Sequence, residues 1–277
     1  MSMVSNSNRA RIFADVVSVD AWHRSFDSEC AVADLHADVI FQEARVGGEA
    51  ASPVRFRLRL RRAEVVIVIP ETETSLRVLK DSVARDALDT EVTSRTRVAR
   101  KTAMSGEAGG SLSAAPSEIK GSLKAGANAG IEETRTEETE TESTQKLIVA
   151  TQSKTIDGHY RWQLSPTQGE HLHGRGWDAA TEPRLKVEDR RSDRTKGISP
   201  TIHVEVRCKR EDLIIEDLHV KDEARWKKYI GRPGFEKRMA AAESYIRSRL
   251  SEEGLEFGEL NEDFADITIA SVICDPT

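Results

Sequence analysis

Few residues in this chain carry spacing that suggests chemistry. His171 and His173 form an H-x-H pair in HLHGRGWD, with His159 and Asp178 close in sequence. On a strand, that spacing turns both imidazoles to one face, as some zinc sites require. Among Gly174 and Gly176 the same residues fit a polar loop equally well. His171 and His173 therefore stand as the one metal candidate, with a plain loop as the alternative. Cys30 lies near His23 and Asp27, but nucleophile and base meet in space rather than in sequence, so this is no dyad by itself. Glu211, Asp212, Glu216 and Asp217 are close enough in sequence to supply acid and base groups, yet one sequence does not say which acids meet. Trp162, Trp177 and Trp226 read as packing residues rather than ligand platforms.

The glycines of AGANAG are followed by no Lys-Ser/Thr and preceded by no buried strand, so they do not form a phosphate loop. The chain holds no G-x-S-x-G elbow, no H-E-x-x-H pair and no EF-hand loop. The expectation is a protein with no catalytic residue to name and no cofactor.

A different signal comes from VRFRLRLRR at Val54 to Arg62. Val54, Phe56, Leu58 and Leu60 share one parity, and Arg55, Arg57, Arg59 and Arg61 share the other. This is period two, a half-buried strand with an arginine face. Such a face either meets an acidic partner or nucleic acid, or pairs with carboxylates on neighbouring strands; the second is the expectation here.

The elements that would position these residues follow from composition and pattern. With 277 residues, 38% hydrophobic and 32% charged, the chain is long enough to bury a core and rather polar for its size. A net charge of −6 gives no bulk reason to bind nucleic acid. Three widely spaced cysteines without a C-x-x-C pair argue against a disulfide framework and against a structural zinc site. The opening MSMVSNSNRARIF lacks the apolar core of a signal peptide, and no apolar run approaches the length of a spanning helix. A cytoplasmic protein is expected.

Strands are expected at Ala10 to Val19, at Ala33 to Ala44 before the Gly47-Gly48 turn, and at Val54 to Ile69, where VVIVI before Pro70 reads as buried on both faces. Ser75 to Leu88 fits both a helical stripe and a short strand and stays open. Asp157-Gly158 marks a hairpin turn leading into HYRWQL, with Tyr160, Trp162 and Leu164 on one face. Arg184 to Glu188, Ile202 to Cys208, Leu213 to Ile215 and Ile267 to Ile273 complete the strands. In FEKRMAAAESYIRSRL, Phe235, Met239, Ala242, Ile246 and Leu250 recur at helical spacing between Pro233 and Gly254, which predicts an amphipathic helix over roughly 233–251.

Residues 86–150 stand apart, with no aromatic residue and much Thr, Ser, Ala, Gly and Glu. Val92 to Thr102 forms a basic arm and Glu132 to Glu142 an acidic one. Folded about a point near Ser117, the arms oppose Arg95, Arg97 and Lys101 with Glu133 and Glu137. Between them Ile119, Leu123, Ala125, Ala127, Ala129 and Ile131 share one parity of a weakly apolar alternation. Membrane-spanning strands need about 9–11 residues of such alternation, but alanine and glycine bury little area and no aromatic girdle flanks them. Three readings remain open: a flexible loop on polar arms, a hairpin that pairs with copies of itself, and a membrane-inserting hairpin over 103–131.

The expected fold is mainly β and β-sandwich-like, with a long antiparallel hairpin excursion and one C-terminal amphipathic helix. Residues 1–85 and 151–218 would form the body, 86–150 the excursion, and 219–277 a helix and final strand packed on the body. The leading functional expectation is a non-enzymatic structural or assembly protein that uses 86–150 to contact copies of itself or a protein partner. The alternatives are a β-pore-forming membrane effector and an enzyme without a recognisable motif. No nucleic acid is expected as a partner.

Overall fold

The computed structural model describes residues 9–10, 13–49, 52–85, 147–194, 199–221 and 234–277. These residues are mainly β, arranged as three sheets with one α-helix near the C-terminus, in a β-sandwich-like fold. The first sheet runs in the order β1 (Arg9–Ala10), β14 (Asp266–Ile273), β12 (His203–Lys209), β6 (Ala63–Val68), β9 (Tyr160–Pro166) and β8 (Ile148–Lys154). The second is ordered β15 (Asp275–Pro276), β2 (Val17–His23), β3 (Val32–Phe41), β11 (Leu185–Asp189) and β7 (Leu76–Leu79), and β10 (Gly174–Arg175) also pairs with β3. The third sets β5 (Val54–Leu60) between β13 (Leu213–Val220) and β4 (Ala44–Gly47). Neighbours are antiparallel except β15 and β2, which run parallel.

Alternation explains why these segments are strands. In β3, Ala33, Leu35, Ala37, Val39 and Phe41 point inward while Asp34, His36, Asp38 and Ile40 point outward. In β12, Val204, Val206 and Cys208 are buried, and in β9 Trp162 and Leu164 are. These side chains interdigitate with Val65, Ile67, Leu185 and Val187 in one continuous hydrophobic core. Strand β6 behaves differently: Val65, Val66 and Ile67 are consecutively buried, the two-faced burial that VVIVI predicts. A register shift between β12 and β14 leaves Ile269 as an extra residue and accounts for the unbroken buried run Ile267–Ala270.

The single α-helix among the described residues, α1 (Phe235–Glu252), packs on β5 and β13. Ala242, Ile246 and Leu250 form its buried stripe, and Tyr245 meets the edge of Phe56 with ring centroids 6.1 Å apart. Its end is a Schellman motif: the Leu255 N–H donates to Leu250 O (3.0 Å) and the Gly254 N–H to Ser251 O (3.1 Å). Gly254 holds a φ of +68°, where a side chain would be strained.

Three details depart from the sequence expectations. Ala10 to Val19 is not one strand, because the Phe13 carbonyl accepts the N–H groups of both Val16 and Val17 and closes a turn between β1 and β2. Phe13 and Val16 are buried within that turn, so apolar residues that resemble strand residues anchor a loop. At Ser75 to Leu88 the described part is the short β7 followed by a 3-10 turn at Lys80–Ser82, which resolves the open choice against a helix. Phe235 is 69% exposed, so the buried stripe of α1 begins beyond it. Periodicity places Phe235 on the stripe, but burial also needs a surface opposite.

Candidate functional site

Strand β5 separates a buried apolar face from an outer arginine face. The inward side chains Val54, Phe56, Leu58 and Leu60 lie under α1, which leaves Arg55, Arg57 and Arg59 on the outer face of the three-stranded sheet. Arg57 Nη2 lies 2.6 Å from Asp217 Oδ2 and its Nε 3.3 Å from Glu43 Oε1. Arg59 pairs with Glu216 and, at 3.6 Å, with Glu43. A bulge in β13 makes this possible: the register with β5 shifts between Glu216 and His219, and Asp217 adopts a φ of 48°. Glu216 and Asp217 are thus ion-pair partners of a basic strand, each pair worth about 0.2–1 kcal/mol at this exposure. The expected pairing with carboxylates on neighbouring strands holds at Arg57 and Arg59.

A concavity of about 310 Å³ opens at one end of the first sheet between Arg62, Glu64, Arg207 and Asp212. Its charges are matched. Arg62 donates through Nε to Asp212 (2.8 Å) and through Nη2 to Glu211 (2.7 Å), and the bond to Asp212 is the main reason its pKa is raised. Glu64 accepts from Arg161 (3.0 Å) and Gln163 (3.1 Å), and Arg207 donates to Glu205 (2.8 Å). Glu211 and Asp212 therefore serve Arg62 rather than acting as a carboxylate pair. Cys208 borders this concavity, but burial, helped by the negative charge of Asp212, pushes its thiol far above the ordinary value. Burial likewise raises Cys274 to about 12. Both thiols stay protonated, the opposite of what a nucleophile needs.

A third cluster surrounds Arg184, buried between Trp162 and Trp177 with its guanidinium carbon 5.9 and 4.2 Å from the two ring centroids. Arg184 Nη2 also lies 3.2 Å from Glu182 Oε2. The indoles are tied down in turn: Trp177 Nε1 donates to Ala37 O (2.6 Å) and Trp162 Nε1 to Ala84 O (2.9 Å). The Ala84 N–H donates to Arg184 O (2.8 Å). On the other side of the 86–146 stretch, the Thr167 N–H donates to Leu147 O (3.0 Å), just beyond the end of β9. β9 and the residue after it thus hold the chain both where that stretch begins and where it ends. Strand β8 starts at Ile148, so Ile148–Ala150 pair with β9 as part of the body. No sequence signal marks Arg184 as a buried cation, since no strand or helix period brings Trp162 of β9 and Trp177 of a loop to either side of it.

The remaining candidates are quickly placed. His171 and His173 flank Leu172 in an irregular stretch, and Leu172 is buried with its N–H donating to Leu60 O (2.7 Å). Among the described residues no group of three or more His, Cys, Asp or Glu is arranged to hold a metal ion. Cys30 donates its thiol to Val32 O (3.2 Å), and Asp27 caps the same turn by accepting the N–H groups of Glu29 and Cys30. Trp162 and Trp177 are core residues, as expected, whereas Trp226 lies outside the described residues. So do the pairing residues Arg95, Arg97, Lys101, Glu133 and Glu137, and the alternating residues Ile119, Leu123, Ala125, Ala127, Ala129 and Ile131. No described helix is long and apolar enough to cross a membrane. No protein-family model matches the chain, and no curated protein matches it in sequence.

Proposed function

We infer that this is a non-enzymatic assembly protein whose β body presents residues 86–146 to copies of itself or to a protein partner. The observation that carries this reading is the double attachment at β9. Trp162 fixes the chain at Ala84 and Thr167 fixes it at Leu147, so the departing and returning ends share one hydrogen-bonded frame. A segment used for contact gains from a rigid base, because the ordering cost of its ends is met before a partner arrives. The chemistry of the body points the same way. Glu211, Asp212, Glu216 and Asp217 are engaged by arginines, and its two buried thiols are held protonated. Free cysteines buried in the core suit a reducing compartment, in keeping with the cytoplasmic location expected from sequence. Light scattering on the intact protein over a hundredfold range of concentration tests the proposal. A mass above that of one 30.8 kDa chain is expected, and one chain at every concentration, with no partner captured by chemical crosslinking in a cell extract, would overturn it.

A further inference from the structure

We propose that Arg45, Arg55 and Arg57, together with His219, form a binding site for a phosphate-type dianion on the outer face of the three-stranded sheet. These residues line a concavity of about 300 Å³, into which Asp217 also projects. The register makes the cluster unusual. Arg45 on β4 stands directly opposite Arg57 on β5, and His219 on β13 directly opposite Arg55. The opposed guanidiniums of Arg45 and Arg57 repel, so a sheet places them there at a cost unless something negative lies between them. Arg57 already has Asp217 and Glu43. Among the described residues neither Arg45 nor Arg55 has a carboxylate partner. Asp217, the one acid of the lining, is committed to Arg57 at 2.6 Å, which leaves the concavity net positive.

The opening itself is built by the backbone. Gly47 is the residue opposite Arg55 on β4, with a φ of +74°. A Cβ there would sit 2.2 Å from Val54 O, so only glycine fits and the row beside Arg55 carries no third side chain. On the other side the β13 bulge, with Asp217 at a φ of 48°, displaces Asp217 and Leu218 from the ladder and brings His219 beside Arg55. Two uncompensated guanidinium forks fit a group with several oxygens and more than one negative charge. A phosphate monoester offers both, and its oxygens accept the forks bidentately where a single carboxylate accepts one. The group is either soluble or carried on a lipid headgroup.

Titration calorimetry of the full chain with inorganic phosphate, at ionic strength held constant with sodium chloride, tests the site. Saturable binding is expected, weakened about tenfold or more in Arg45→Gln and in Arg55→Gln and partly restored in Arg55→Lys. Arg61→Gln, an exposed arginine outside the lining, is expected to bind as the parent does. Co-sedimentation with phosphatidylcholine vesicles, with and without phosphatidic acid, separates the two sources: arginine-dependent binding to the acid-containing vesicles alone identifies a headgroup, and none identifies a soluble ligand. Absence of saturable phosphate binding, binding by the Arg45→Gln and Arg55→Gln variants as tight as the parent's, or arginine-dependent binding of polyglutamate without phosphate would overturn the proposal. Circular dichroism of each variant keeps loss of fold apart from loss of binding.

Discussion

Individual side chains in this protein are kept in place by neighbours that only the fold brings together, and Arg184 shows what that is worth. Its guanidinium is 1% exposed and stacked on Trp177. Arg184→Ala removes the stack and leaves a void between two indoles, and is expected to cost about 2–4 kcal/mol in urea denaturation. Asp189 gives a pH-dependent counterpart. Burial pushes its pKa up, but hydrogen bonds from the Arg191 side chain and backbone outweigh this, and the net value is lowered. A carboxyl whose folded pKa is depressed contributes stability above its unfolded value of about 4, and the contribution fades as pH falls through the folded value. The stability difference between the parent and Asp189→Asn is therefore expected to be constant near neutrality and to shrink below about pH 4. The thiols supply a third check: Cys30 is half-buried, and Cys208 and Cys274 are buried with raised pKa values. One of the three cysteines should react with a disulfide reagent in the native protein, and all three after unfolding.

At the scale of elements, β5 and α1 were legible because their periods are unbroken and each has one buried face. The parity of Val54, Phe56, Leu58 and Leu60 and the spacing of Ala242, Ile246 and Leu250 describe two surfaces that meet in the fold. Ile246→Ala is expected to cost about 2–5 kcal/mol, since the side chain is buried between helix and sheet. Gly254→Ala is expected to cost about 1–2 kcal/mol, because it places a side chain in the left-handed region of the Schellman turn. The turn at Phe13–Val16 and the strand β7 were not legible, since their apolar residues carry no clean period. The arginine face could be read from spacing alone, but its division into paired and unpaired members could not. That division depends on which residues of β4 and β13 fall opposite β5, on the bulge at Asp217 and on the obligatory glycine at position 47, all set by tertiary pairing.

For the molecule as a whole, Trp162 of β9 and Thr167 just after it bond Ala84 and Leu147, described residues on either side of the 86–146 stretch. Trp162→Phe keeps an aromatic ring in the core but leaves Ala84 O without its indole donor, an expected loss of about 1–3 kcal/mol. The peculiar composition of that stretch was plain in the sequence, whereas the bond from Trp162 to Ala84 was not, because the two residues lie far apart along the chain. The most direct test of the assembly proposal compares the intact protein with a version in which residues 86–146 are replaced by a short Gly-Ser linker, by size exclusion with light scattering at matched concentrations. A folded single chain is expected for the linker version and a larger species for the intact protein. Assembly that persists without residues 86–146 would contradict it.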